Sequence, residues 1–87
     1  MYKIINTKKA RKDYDLLKQH NALSANAFKL LEIIKKNPYQ NPPAYEKLRG
    51  KLEGCCSRRI NIEHRLVYEV NEKAKEIIVY SLWSHYE

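Results

Sequence analysis

Apolar and polar positions along the chain repeat with two different periods, and the change of period divides it. Tyr2-Lys3-Ile4-Ile5 reads as a short opening strand. Thr7 follows as a helix cap, because its hydroxyl can accept a backbone N–H of the first turn. From there to about His20, Ala10, Tyr14 and Leu17 recur at helical spacing, with Lys8, Arg11, Lys12 and Lys18 elsewhere on the cylinder. Asn21 interrupts the pattern. Ser24 is a second candidate cap, and Ala27, Leu30, Leu31 and Ile34 then form an apolar face that stops at Asn37-Pro38. Residues 38–45 (PYQNPPAY) are loop, too short to separate two domains.

Beyond the loop the period falls to two. Leu48 to Leu52 reads as a weak strand and Ser57 to Ile62 as another, with Ile60 and Ile62 on one face and Arg59 and Asn61 on the other. His64 to Val70 reads as a third, and Glu76 to Trp83 as the last and most apolar. Glu72-Lys73-Ala74-Lys75 is a polar turn. The order β-α-α-β-β-β-β predicts an α+β domain spanning residues 1–87. An N-terminal strand and a helical hairpin pack on one face of a twisted, mainly antiparallel sheet. With 87 residues the chain has room for a single core. Neither a membrane span nor a secretory leader is expected: no apolar run reaches the roughly 18–20 residues a span needs. The expectation is a cytoplasmic protein.

Charge changes this picture. Seventeen Lys and Arg against ten Asp and Glu give +7, a surface that attracts polyanions. The first 43 residues hold nine basic and three acidic side chains, the remainder eight and seven. The N-terminal half therefore supplies a general field, and the C-terminal half mixes signs as an acid–base site does. Cys55 and Cys56 are adjacent, with Cα atoms about 3.8 Å apart, whereas ordinary disulfides need about 4.4 Å or more. A reduced pair is expected. No second pair of spaced ligands accompanies them, so no metal site is expected. No Walker loop, GxGxxG or GxSxG occurs, and no cofactor is implied.

Polar residues crowd the strand region: Glu46, Arg49, Lys51, Arg58, Arg59, His64, Arg65, His85 and Tyr86. Taken singly they are equally well solvated strand faces and a fraying end. As a set they match metal-independent RNA cleavage. That reaction needs a base for the 2′-hydroxyl, cations for the phosphorane and an acid for the departing 5′-oxygen. Spacing alone does not show that they converge.

The stretch Glu46-Lys47-Leu48-Arg49, then Leu52, Gly54, Ser57-Arg58-Arg59-Ile60 and Glu63-His64-Arg65-Leu66-Val67-Tyr68, with the ending His85-Tyr86, resembles the YoeB (Txe/YoeB) family. These are toxins of type II toxin–antitoxin modules within the RelE-like superfamily. The looser N-terminal half fits too, with a helix carrying Asp13-Tyr14. The resemblance implies a RelE-like fold and a ribosome-dependent mRNA interferase that cuts in the ribosomal A site. It implies Glu46 as general base, Arg65 as the group stabilising the transition-state phosphate, His85 as general acid and Tyr86 as a positioning residue. Arg49, Arg59, Lys51 and Arg58 are the phosphate-binding candidates. The implied partners are the ribosome with its mRNA, a YefM-like antitoxin with an acidic C-terminal segment, and a second copy of the toxin. DNA is met only through the antitoxin complex. A non-enzymatic basic inhibitor on the same fold is the alternative.

Alternation sends Arg65 to the face opposite His64. Arg65 is expected on the helix-free face, His64 in a structural role, Tyr68 in packing and His20 at the end of the first helix. Four features depart from the family pattern: Cys55-Cys56 where two aromatics are usual, a longer hairpin before the last strand, Trp83-Ser84 before His85, and Glu87 after the usual terminal tyrosine.

Overall fold

The computed structural model describes residues 1–83. Strand β1 (Lys3–Asn6) is followed by helices α1 (Lys8–Leu17) and α2 (Asn21–Lys36). Strands β2 (Glu46–Lys47), β3 (Cys55–Arg59), β4 (Arg65–Asn71) and β5 (Glu76–Ser81) complete it. They form one sheet in the order β1-β5-β4-β3-β2. Strands β2 to β5 pair antiparallel in succession, in keeping with the mainly antiparallel sheet expected. Strand β1 adds to it in parallel, pairing Lys3 with Glu76 and Asn6 with Val79.

Thr7 caps α1 as anticipated. Its Oγ1 accepts from the Ala10 N–H at 3.2 Å and donates to the Val79 carbonyl at 2.9 Å, so the cap also ties α1 to β5. Helix α2 starts at Asn21, three residues before the anticipated Ser24 cap. The Ser24 N–H already bonds the His20 carbonyl at 2.8 Å, which places Ser24 inside the first turn. His20, with extended backbone, is the N-cap of α2 rather than the tail of α1.

Ala27, Leu30, Leu31 and Ile34 of α2 meet Ala10 and Leu17 of α1 over Leu66, Tyr68, Ile77, Val79 and Leu82. The opposite face of the sheet carries a smaller cluster of Leu48, Cys55 and Val67, with Leu52 and Tyr80 against it. The strand anticipated over Leu48–Leu52 does not form. Pairing with β3 is confined to Glu46–Lys47, and the Leu48 N–H bonds the Cys55 carbonyl at 2.9 Å. The chain then turns at Gly50, whose φ of +71° is left-handed, into a 3₁₀ turn at Gly50–Leu52. That turn folds Leu52 back onto Leu48. Strand β3 begins two residues earlier than anticipated, at Cys55, and ends at Arg59. There Asn61 Oδ1 accepts from the N–H groups of Glu63 and His64 at 2.9 and 2.7 Å and closes the turn into β4. Cys55 and Cys56 are both free and buried; successive strand positions send one to each face. Among the described residues, no helix is long and apolar enough to cross a membrane.

Candidate active site

The helix-free face near the β2 edge carries the site. Alternation puts Cys55, Ser57 and Arg59 of β3 and Arg65 and Val67 of β4 on that face, while Cys56, Arg58, Leu66 and Tyr68 point to the helices. Glu46 of β2 sits opposite Ser57, and Arg59 opposite Arg65. The Arg65 Nη1 donates to Glu46 Oε1 at 3.1 Å. Because β3 lies between β2 and β4, this ion pair crosses over β3. The Glu46 side chain is 62% exposed and that of Arg65 22%, so the carboxylate is open to solvent while the guanidinium is held against the sheet. The two residues, with Ser57, Arg59, Tyr45, Pro43 and Ala44, line a cleft of about 330 Å³. A carboxylate and two arginines facing one cleft can accept a proton and hold a phosphate.

Of the other anticipated phosphate ligands, Arg58 is corrected outright. Its side chain lies on the helix face and is 1% exposed. Nε donates to Tyr68 Oη at 2.9 Å, Nη1 to the Pro43 carbonyl at 2.6 Å, and Nη2 to the Pro38 and Gln40 carbonyls at 3.0 and 2.9 Å. The guanidinium also lies 4.8 Å from the centre of the Tyr45 ring. Arg58 is thus the peg on which the 38–45 loop hangs, and that loop delivers the chain to Glu46. Arg49 and Lys51 are exposed on the turn after β2 and do not line the cleft. His85 and Tyr86 lie outside the described residues.

Sequence reasoning missed the residue that directs the chain toward them. Asp13 of α1 is 4% exposed. Its Oδ2 accepts from the Leu82 and Trp83 N–H groups at 2.9 and 3.3 Å and from Lys9 Nζ at 2.9 Å. The visible signal was an acidic residue on the core-facing side of a mainly basic helix. Trp83 itself packs between two histidines, its ring centre 4.3 Å from that of His64 and 5.4 Å from that of His20. His64 therefore takes the expected structural role. Tyr68 does too: it is fully buried, and burial pushes its hydroxyl up to about 12. Among the described residues no group of three His, Cys, Asp or Glu side chains is placed to hold a metal ion.

The sequence pattern of the YoeB-like toxins of bacterial type II toxin–antitoxin systems matches residues 6–86. The chain belongs to this family. It is 35% identical over 75 residues to Toxin YoeB of Synechocystis sp., an alignment covering 86% of this chain and 77% of that protein. Its fold superposes on a YoeB/ParE toxin from Agrobacterium tumefaciens with a TM-score of 0.89, at 28% identity, covering 97% of this chain and 99% of that one. A YoeB–YefM complex from Staphylococcus aureus matches with a TM-score of 0.82 at 35% identity, covering 99% of both chains. The toxin thus has the RelE-like fold, with the Glu46–Arg65 cleft on the face its helices leave open.

Proposed function

We propose that this toxin is a ribosome-dependent mRNA interferase whose chemistry takes place in the Glu46–Arg65 cleft. The observation that carries the reading is the ion pair spanning β3: a solvent-open carboxylate and a partly buried guanidinium face one cleft with Arg59. Glu46 takes the proton of the 2′-hydroxyl, and the 2′-oxygen attacks phosphorus. Arg65 and Arg59 stabilise the charge on the equatorial oxygens. The bond to the 5′-oxygen breaks as His85 protonates that oxygen, with Tyr86 positioning the nucleotide. The products are a 2′,3′-cyclic phosphate, which can open to a 3′-phosphate, and a 5′-hydroxyl. Proton transfer balances between Glu46 and His85, so the scheme draws on side chains alone.

The net charge of +7 suits ribosomal RNA and an acidic antitoxin segment alike. A YefM partner and a dimer occur in Staphylococcus aureus relatives. We extend both to this toxin, acting in the cytoplasm on mRNA in the A site. Primer extension on a defined mRNA in a purified translation system tests the reading. Cuts confined to the A-site codon, dependent on ribosomes and lost in Glu46→Gln, Arg65→Ala and His85→Ala, are expected. Translation arrest without cuts would instead favour a non-enzymatic inhibitor.

A further inference from the structure

Ser57 is the feature of the cleft that neither the ion pair nor the loop accounts for. It is 1% exposed, and its Oγ finds no hydrogen-bond partner among the described residues. Every neighbouring polar side chain on β3 is differently placed: Arg58 is saturated by four oxygens, and Arg59 is exposed. A buried hydroxyl left unpaired disfavours the folded state and calls for a role. Its position supplies one. Ser57 stands opposite Glu46 on one side and Val67 on the other. The Glu46–Arg65 bridge runs from β2 to β4 and so passes above the β3 positions that share its face, Ser57 and Arg59. Ser57 lines the same cleft as the two bridging side chains.

We propose that Ser57 is a phosphate-binding residue, whose hydroxyl donates to a non-bridging oxygen of the scissile phosphate. The inference rests on the proposed function and deepens it. A phosphodiester carries the same charge as the Glu46 carboxylate and offers the same two-oxygen face to Arg65, so it competes for the guanidinium. When it displaces Glu46, two things happen together. The carboxylate is released to act as base, and the hydroxyl beneath is uncovered beside an anionic oxygen. Serine suits the position because it is small enough to leave the cleft open and carries a donor.

The test uses the folded toxin and each of the four nucleoside 3′-monophosphates as probes. Binding is followed by NMR shifts, alongside thermal melting and ribosomal cleavage. Wild type, Ser57→Ala, Ser57→Cys and Arg65→Ala are compared. The expected result is nucleotide affinity reduced tenfold or more in both Ser57 variants and in Arg65→Ala, as loss of a hydrogen bond to a charged acceptor dictates. Ser57→Ala should melt no lower than wild type, because it deletes an unpaired group. Unchanged affinity in the Ser57 variants with a loss in Arg65→Ala overturns the Ser57 assignment and leaves the proposed function standing. A drop of several degrees in the melting temperature with unchanged affinity assigns the hydroxyl to structure and likewise overturns it. A wild type that cleaves on the ribosome but binds none of the four nucleotides overturns the Ser57 assignment alone; one that does neither sinks both readings.

Discussion

Replacing Arg58 with methionine separates the two roles that this residue could hold. Methionine fills much of the volume and removes the four donors. The loss is uneven. Tyr68 Oη still donates to the Pro38 carbonyl at 2.9 Å, so those two groups keep each other. The Gln40 and Pro43 carbonyls lose their Arg58 bonds, which are 2.9 and 2.6 Å long in the native fold. Both are partly buried, and an unpaired buried acceptor costs about 1–3 kcal/mol. Relief from holding a cation in the interior offsets some of this. We expect a net destabilisation of about 2–4 kcal/mol, read as a shift of the urea midpoint followed by circular dichroism. Against a total stability of about 4–13 kcal/mol for a domain of this size, the loss is large. Each kcal/mol corresponds to about 4–8 °C in Tm, so melting should fall by at least about 8 °C. Lysine should rescue little, because one ammonium cannot span oxygens that the planar fork reaches in several directions. A methionine variant within about 0.5 kcal/mol of wild type that nevertheless loses cleavage would refute the loop-anchoring argument and return Arg58 to the phosphate ligands.

Four further outcomes follow from the geometry. Glu46→Gln should abolish cleavage yet bind nucleoside 3′-monophosphates several-fold more tightly, since the native carboxylate competes for Arg65; weaker binding would contradict this. Asp13→Ala should destabilise the fold by about 2–4 kcal/mol, as two N–H groups at the end of β5 lose their acceptor, and should lower cleavage; Asp13→Asn, which keeps one acceptor, should cost less. Glu72 accepts from Lys75, Tyr39 and Tyr2, which hold its carboxyl at about 2 against the usual 4.5. A depressed folded value stabilises above the unfolded pKa and fades as pH falls. The difference in urea midpoint between wild type and Glu72→Gln should therefore be present at pH 6 and vanish towards pH 2, and it should be small because the site is exposed. Burial pushes both the Cys55 and Cys56 thiols up, so iodoacetamide should label neither appreciably in the native toxin and both in urea; rapid native labelling would place a thiol at the surface.

The element order and the two apolar helix faces were legible because periodicity reports which side of an element is buried. The pairing of β1 was not, since a four-residue strand has no local signal of its partner. Ser24 and Leu48–Leu52 misled for related reasons. A capping residue is just as compatible with the first turn. Two leucines four apart fit a 3₁₀ turn folded on itself as well as a strand. In β3 the phase was legible from Ile60 on one face and Arg59 on the other, and the structure keeps it: Ile60 is buried and Arg59 exposed. Alternation then puts Arg58 on the Ile60 face, but only the tertiary contacts show which oxygens its guanidinium bonds there. Arg65 was placed correctly, because β4 carries Leu66 and Tyr68 on one side and so fixes its own phase. The family resemblance named Glu46 and Arg65 as site residues, but their ion pair had no signal in the chain, as the two belong to strands that are not neighbours. The unpaired Ser57 hydroxyl had no signature in the chain at all.

The parallel pairing of β1 with β5 has a consequence for the toxin's synthesis. Lys3 waits for Glu76, so the strand made first finds its neighbour about seventy residues later, and closing so long a loop is slow and entropically costly. While the chain emerges, the helical hairpin has no sheet to cover Leu30, Leu31 and Ile34, and β4 lacks one of its two neighbours. A nascent chain therefore shows apolar surface that the finished fold covers. Its core closes in one late step, and a partner or chaperone that recognises the bare hairpin has the whole interval of elongation in which to act.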